Sequence, residues 1–153
     1  MSIMWKYLDK RRAAVQVIKD YSSMKFILDH TDEKIKEEQI HMTGLGSPSL
    51  DGMPHAHNPQ AGEEKLVNSL NEIDILKERY RQAVEYMRWF VPAWKQLSND
   101  EQYVLDAFYD DDSGYGSGAA EAVARSFHIE ATSAYKKKSR ALDHLTVLLF
   151  GKE

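Results

Sequence analysis

The sequence predicts an all-α protein in which a long antiparallel helical hairpin at residues 1–96 is followed by a helix-turn-helix unit at residues 97–153. Apolar residues recur at three- and four-residue steps along two long segments, which is the spacing of one helix face. Residues 43–62 separate these segments and hold three of the four prolines and four of the eight glycines, which predicts a flexible connector. A short helix, a tight turn and a longer basic helix are predicted in the C-terminal third.

The composition limits the class of protein. With 153 residues, 42% of them hydrophobic and 29% charged, the chain has the apolar content of a folded domain rather than that of a disordered one. It has no cysteine, which excludes disulfides, thiolate zinc sites and a cysteine nucleophile. We find no apolar run long enough for a membrane span and no signal-peptide pattern, so the sequence predicts a cytoplasmic protein that does not contact a membrane.

The predicted hairpin consists of helices at about residues 3–41 and 63–91, and Pro92 is expected to end or kink the second one. Each helix has one apolar face. The first face comprises Trp5, Leu8, Val15, Ile18, Tyr21, Leu28, Thr31 and Ile35, and the second comprises Leu66, Leu70, Ile73, Tyr80, Val84, Met87 and Val91. A face of this length needs a partner, so we expect the hairpin to pack on the C-terminal unit or to form a homodimer.

The C-terminal unit begins with a capping box, Ser98 and Glu101, which predicts a helix over residues 99–109. Three aspartates and three glycines in residues 110–118 predict a loop. A short helix at 119–127 and a tight turn at 128–130 follow. The last helix is expected to start at Glu130 or Thr132 and to end at about Phe150, before Gly151.

Charge is unevenly distributed in this unit. The whole chain has a net charge of −4, but residues 98–120 contain six acidic residues and no basic one. Residues 131–142, by contrast, contain Lys136, Lys137, Lys138 and Arg140 and no acidic residue. A local basic patch of this kind can bind phosphate even on an acidic protein.

The last helix is the predicted DNA-binding element. At 100° per residue, Ala134, Ala141 and Leu145 share the inward face, while Lys136 and Arg140 lie one turn apart on the outward face. Residues at the start of such a helix reach base edges, and cations further along reach phosphates or guanine. The predicted DNA-binding residues are Thr132, Ser133, Tyr135, Lys136, Lys137, Ser139 and Arg140. A solvated basic face on an ordinary bundle helix is the alternative interpretation of the same pattern.

Residues 97 to about 149 resemble region 4 of the bacterial sigma-seventy family in three places. Residues 97–105 read LSNDEQYVL, similar to the family's L-S-x-x-E-x-x-V-L, and residues 120–129 read AEAVARSFHI, similar to x-E-I-A-x-x-L-G-I. Arg140-Ala141-Leu142 with Leu145 fits R-A-L-x-x-L. Phe127-His128 stands where the family usually has Leu-Gly.

The whole chain is similar to small sigma-like proteins encoded by phages and prophages. These combine a coiled-coil hairpin, a Met-Pro loop (here Met53-Pro54) and a module like region 4. The resemblance implies a transcriptional regulator that binds double-stranded promoter DNA, contacts bacterial RNA polymerase, or does both. The residues themselves show no Ser/His/Asp order, phosphate loop or catalytic carboxylate pair, so we expect no enzymatic activity, no cofactor and no metal. The alternative from another class is an adaptor that binds RNA polymerase or a phage protein without touching DNA, which the acidic segment favours.

Four other patterns carry less specific hypotheses. Asp110, Asp112 and Glu121 have the spacing of calcium-loop ligands, but Tyr115 stands where such a loop needs glycine. His55-Ala56-His57 could supply imidazole ligands, although such a motif in a connector is usually polar filler. A set of aromatic residues fits a core or an interface better than a stacking surface: Trp5, Trp89 and Trp94, with Tyr80, Tyr86 and Phe90. Lys10-Arg11-Arg12 could contact phosphate, but a solvated face is the simpler interpretation.

Overall fold

The computed structural model describes residues 8–44 and 59–152, and the regular structure within these ranges is helical, as the sequence predicts. The described α-helices are α1 (Lys10–Gly44), α2 (Pro59–Gln96), α3 (Asn99–Tyr109), α4 (Ala119–Phe127) and α5 (Ala131–Phe150). Between α3 and α4 the predicted loop contains two single-turn 3-10 helices, Asp111–Ser113 and Gly116–Gly118.

Helix ends follow local hydrogen-bonding chemistry. Asp9 caps α1, because its Oδ1 accepts a 3.0 Å hydrogen bond from the Arg12 backbone N–H. The predicted capping box of α3 is confirmed: Ser98 Oγ accepts from the Glu101 N–H at 3.2 Å, and Glu101 Oε2 accepts from the Ser98 N–H at 2.9 Å. Gly151 lies just beyond the end of α5 with a positive φ of 77°, a conformation that glycine adopts without strain.

Of the two expectations for Pro92, an end of the helix near Val91 is wrong, because α2 continues through Pro92 to Gln96. A kink at Pro92 stays a prediction. Proline removes one helical hydrogen bond and leaves the carbonyl of Arg88 without its usual donor. Both residues are exposed, so water can hydrate that carbonyl. On the other side of the same turns, Phe90 and Ala93 are buried, and their burial holds the helix together across the proline.

The predicted inward face of α2 is also wrong in part. Leu66, Leu70 and Tyr80 are 41%, 46% and 38% exposed. The buried positions form another run at three- and four-residue steps and their sums: Ser69, Ile73, Leu76, Ala83, Tyr86 and Phe90. This run includes a serine and an alanine, which a search for large apolar residues passes over. Leu8, just before α1, and Tyr21 on α1 are likewise exposed, whereas Ala14 and Ile18 are buried.

The chain divides into two compact units, and the division falls within the two long helices. Unit 1 comprises residues 1–22 and 86–153, and unit 2 comprises residues 23–85. The boundary predicted between residues 96 and 97 is a different division and stays a prediction. The predicted connector at 43–62 is helical at both ends, since α1 reaches Gly44 and α2 starts at Pro59. Residues 45–58, with the Met-Pro and His-Ala-His motifs, and Trp5 lie outside the described residues.

In unit 1, α3 and α4 pack on the inward face of α5. Val104, Ala107, Val123 and Ala134 form a buried cluster, covered by the partly buried side chains Tyr103, Phe108, Ala124, Phe127 and Ile129. The first part of α1 and the last part of α2 belong to the same unit. Tyr86 Oη donates to the Val17 carbonyl, and the Trp89 indole N–H donates to the Leu149 carbonyl at 3.3 Å. These bonds attach α2 to α1 and to α5.

Unit 2 consists of the last part of α1 and the first part of α2. Its buried residues include two polar ones, Thr31 and Ser69. Thr31 donates to the Ile27 carbonyl one turn back, and Ser69 Oγ lies 3.4 Å from His41 Nδ1. On the surface, Arg81 pairs with Glu78 and Glu85, and its hydrogen bonds hold the pKa of Glu78 at about 2. None of the described helices in either unit offers a stretch apolar and long enough to cross a lipid bilayer.

Candidate nucleic-acid interface

Three residues, His128 to Glu130, separate α4 from α5. His128 has the left-handed conformation, with φ 54° and ψ 46°, and its N–H donates to the Ala124 carbonyl. The Ile129 N–H donates to the same carbonyl at 2.9 Å, and the Ile129 side chain packs on the buried cluster. This is the hydrogen-bonding pattern with which helices commonly end before a sharp change of direction. It turns the chain directly into α5.

Small residues bring α5 close to its neighbours. Ala134 and Ala141 are essentially buried, as is Leu145, which confirms the predicted inward face. Because the alanine side chain is small, the backbones of α3 and α4 can approach α5 closely. The opposite face of α5, which we call the outer face, then remains accessible and includes Thr132, Lys136, Arg140 and Asp143.

Lys136 and Arg140 are the open cations of the outer face. Both are exposed, and within the described ranges 8–44 and 59–152 neither forms an ion pair with a carboxylate. Arg140 lines a shallow groove that also contains Asp100 and Glu101 from the first turn of α3. The two cations lie one turn apart, so both can reach a ligand that lies along the helix.

Two further lysines lie against aromatic rings. Lys137 Nζ is 4.5 Å from the ring centroid of Phe127, on α4. Lys138 Nζ is 5.0 Å from Phe108 and 5.2 Å from Tyr135. A cation–π contact places the ammonium without neutralising it. Both lysines therefore add positive potential to this side of α5, although the rings restrict their reach.

The other predicted residues lie around the start of α5. Thr132 is exposed and Ser133 is partly buried. Tyr135 is 52% exposed, and its ring lies 5.6 Å from that of Phe108. Its hydroxyl end can therefore contact a ligand while its ring is supported from behind.

Ser139 is in contact with α1. Its Oγ accepts a 2.8 Å hydrogen bond from an Nη of Arg11, and Arg11 Nε lies 3.2 Å from Asp143 Oδ1. Arg11 thus neutralises the acidic residue of the outer face. Ser139 has a partner within the protein, and its role as a DNA contact stays a prediction.

The position of Arg11 is the feature that sequence reasoning missed. The triplet Lys10-Arg11-Arg12 stood out as basic, but nothing in the local pattern linked it to a helix 128 residues away. Arg12, the next residue, is exposed. The start of α1 therefore adds positive charge beside the outer face of α5.

Glu101 ties the start of α3 to α5. Its carboxylate oxygens lie 3.0 and 3.1 Å from His144 Nδ1, while one of them accepts from the Ser98 N–H. Partial burial alone would raise the pKa of Glu101, but the hydrogen bonds from Ser98 and His144 outweigh it and lower that pKa. The carboxylate therefore stays charged and fixed near the groove that Arg140 lines.

The described part of the chain holds no group of three or more His, Asp or Glu side chains placed to bind a metal ion. Of the residues with calcium-loop spacing, the Asp112 side chain lies outside the described structure.

The chain matches no protein-family model, no curated protein and no solved structure at a significant level.

Proposed function

We propose that the chain is a DNA-binding transcriptional regulator of phage or prophage type. Its residues 97–153 would act as a helix-turn-helix domain like region 4 of the sigma-seventy family, with α5 as the recognition helix. The observation that carries this proposal is the outer face of α5, where Lys136 and Arg140 are exposed one turn apart without a carboxylate partner in the described chain.

The geometry of α4 and α5 favours this function over a plain bundle helix. A three-residue turn with a left-handed residue joins α4 to α5, and turns of this length join the two helices of helix-turn-helix units. In such units the start of the second helix enters the major groove. Thr132 and Ser133 would then meet base edges, and Tyr135 would fix the register.

The surrounding charges support contact with a polyanion. Lys136, Lys137 and Arg140 are placed to bind phosphates or guanine edges. Arg11 masks Asp143, which would otherwise repel phosphate from the centre of the outer face. The acidic groups of α3 lie in the groove beside Arg140, so we place the DNA on the other side of that arginine.

Residues 1–96 would form the helical hairpin of such a regulator and provide contacts other than DNA. We propose that this part mediates homodimerisation, and that bacterial RNA polymerase is a second partner. Half-sites on DNA would then be spaced by the dimer.

The experiment that tests the proposal is selection of binding sites from random duplex DNA at one fixed salt concentration. We expect the full chain to enrich a defined sequence, because a recognition helix distinguishes bases in the major groove. The variant Thr132→Ala with Ser133→Ala should still bind but enrich a less defined sequence. Recovery of random sequence by the unmodified chain would contradict the proposal.

A second candidate function is a protein-interaction adaptor that binds RNA polymerase or a phage protein and not DNA. It is favoured by the apolar surface of unit 2, where Leu66, Val67 and Leu70 are 41%, 54% and 46% exposed. Capture of bacterial polymerase core after nuclease treatment, together with no mobility shift of DNA, would select the adaptor.

A further inference from the structure

Unit 1 contains a cavity of about 340 Å³ between α1, α2 and the end of α3. Its size is at the lower end of the range for pockets that hold small molecules. The lining combines two kinds of group. Tyr21, Phe90 and Trp94 contribute aromatic rings, and Asp106 and Asp110 contribute carboxylates. None of the residues proposed to contact DNA lines this cavity.

The three rings form a continuous aromatic wall. The ring centroids of Tyr21 and Phe90 are 5.8 Å apart, and those of Phe90 and Trp94 are 5.5 Å apart. Phe90 is only 3% exposed and anchors the wall, whereas Tyr21 is 38% exposed. The planes are inclined to one another by 47° and 34°, and all three residues line the cavity. Aromatic faces carry partial negative charge and attract cations.

The two carboxylates add negative charge to the lining of the cavity. Asp106 and Asp110 are one helical turn apart at the end of α3, and the Asp110 N–H donates to the Asp106 carbonyl at 3.0 Å. Burial and the neighbouring Asp110 carboxylate raise the pKa of Asp106 to about 6. A positive charge placed beside Asp106 would offset these effects, because it favours the charged carboxylate.

From this arrangement we infer that the cavity binds a small organic cation, an ammonium group carried on an apolar body. The apolar part would lie against the rings, and the ammonium would contact the carboxylates and the ring faces. An anion would be repelled by the same groups. A neutral ligand of the same shape would cover the Asp106 carboxylate without compensating its charge.

Lys95 also lines the cavity and places a positive charge there. This charge would repel a ligand ammonium. Removal of the Lys95 charge should therefore strengthen binding of the ligand ammonium. If the cavity bound ligands only through apolar contacts, this change would have no such effect.

Phenethylamine, as its ammonium, and neutral phenethyl alcohol are matched probes for this site. Each would be titrated into the full chain at about pH 7.5 while the Trp94 indole N–H signal is followed by NMR, with Trp94→Phe for assignment. We expect the amine to shift that signal saturably and to bind about tenfold more tightly than the alcohol, as a charge-assisted contact would. Equal binding of the two probes, or no saturable shift, would overturn the inference.

Substitutions test which charged side chains of the cavity affect amine binding. Asp106→Asn should weaken amine binding about tenfold, and Lys95→Gln should strengthen it by a few-fold. Asp100→Asn, the same change on the same helix but outside this cavity, should leave it unchanged. Amine binding that is insensitive to Asp106→Asn would contradict the assignment.

The unmodified chain provides a test that does not depend on folding of a variant. Among the described residues, the charged side chains that line the cavity with Asp106 are Asp110 and Lys95. Because Asp106 becomes protonated as the pH falls through about 6, amine binding should weaken between about pH 7.5 and about pH 5. Phenethyl alcohol binding should not. A flat profile for the amine would refute the role of Asp106.

Discussion

Arg11 makes the outer face of α5 more basic than its own residues do. Its guanidinium contacts Ser139 and Asp143 together. The side chains of Arg11 and Asp143 are 49% and 60% exposed, so the pair adds little to folding stability. Its larger effect is electrostatic, because it cancels the one acidic charge close to Lys136 and Arg140 on that face.

Single substitutions in this pair test how each of the two charges affects DNA affinity. Arg11→Ala should lower DNA affinity about fivefold, because it removes one cation and leaves Asp143 uncompensated, whereas Asp143→Ala should raise it by a similar factor. The double variant should bind nearly as the unmodified chain does. Fluorescence anisotropy at fixed salt measures this, with urea unfolding as the control, where each change should cost under about 1 kcal/mol.

Equal DNA affinity of the unmodified chain, the two single variants and the double variant would contradict this prediction. That outcome would place the Arg11 and Asp143 pair outside the DNA contact.

For single residues, periodicity predicted which side chains of a helix are exposed and which are buried. It did not predict which residues of other helices contact them. The exposure of Lys136 and Arg140 and the burial of Ala134 and Ala141 follow from 100° per residue. The contact of Arg11 with Ser139 could not be predicted, because it joins residues 128 positions apart. The ring contacts of Lys137 and Lys138 depend in the same way on how α3 and α4 pack.

The turn between α4 and α5 is the element on which the orientation of α5 depends. His128 is the only described non-glycine residue with a positive φ. In the left-handed region a residue with a Cβ is strained, and glycine is not. The resemblance to region 4 points to the same position, since glycine is usual there.

His128→Gly should therefore stabilise the protein by about 0.5–1 kcal/mol, the relief of strain exceeding the added flexibility of the unfolded chain. His128→Val should destabilise it by more than that, and His128→Asn should be nearly neutral, because asparagine tolerates this conformation. Urea unfolding at neutral pH measures all three. A loss of stability in the glycine variant would mean that the histidine side chain holds the turn.

Caps and turns could be predicted from sequence more reliably than the long helices. The Ser98 capping box and the residues 128–130 between α4 and α5 depend on local chemistry, and both were predicted. The passage of α2 through Pro92 was not, because burial of Phe90 and Ala93 outweighs the local cost of proline. The buried positions of α2 include Ser69 and Ala83, whose small side chains give no apolar signal.

For the molecule as a whole, the exposed apolar residues of unit 2 raise the question of assembly. Ile40 is 70% exposed, and Leu66, Val67 and Leu70 are each more than two-fifths exposed. Contiguous apolar surface of this kind is uncommon on a monomer in water. Homodimerisation is the arrangement that the sequence predicts for it.

Light scattering with size-exclusion chromatography should therefore give the mass of two chains. The variant Leu66→Lys with Leu70→Lys should shift the mass toward that of one chain, while Lys77→Ala, an exposed change on the same helix, should not. A single-chain mass for the unmodified protein would contradict dimerisation.

The central claim is that the outer face of α5 binds DNA through Lys136 and Arg140, and the salt dependence of DNA affinity tests it most directly. Each phosphate contact contributes about one unit to the slope of log affinity against log salt, so Lys136→Ala with Arg140→Ala should flatten the slope by about two units. The control pair Lys77→Ala with Arg79→Ala should leave the slope as it is. An unchanged slope for the Lys136 and Arg140 variant would contradict the account.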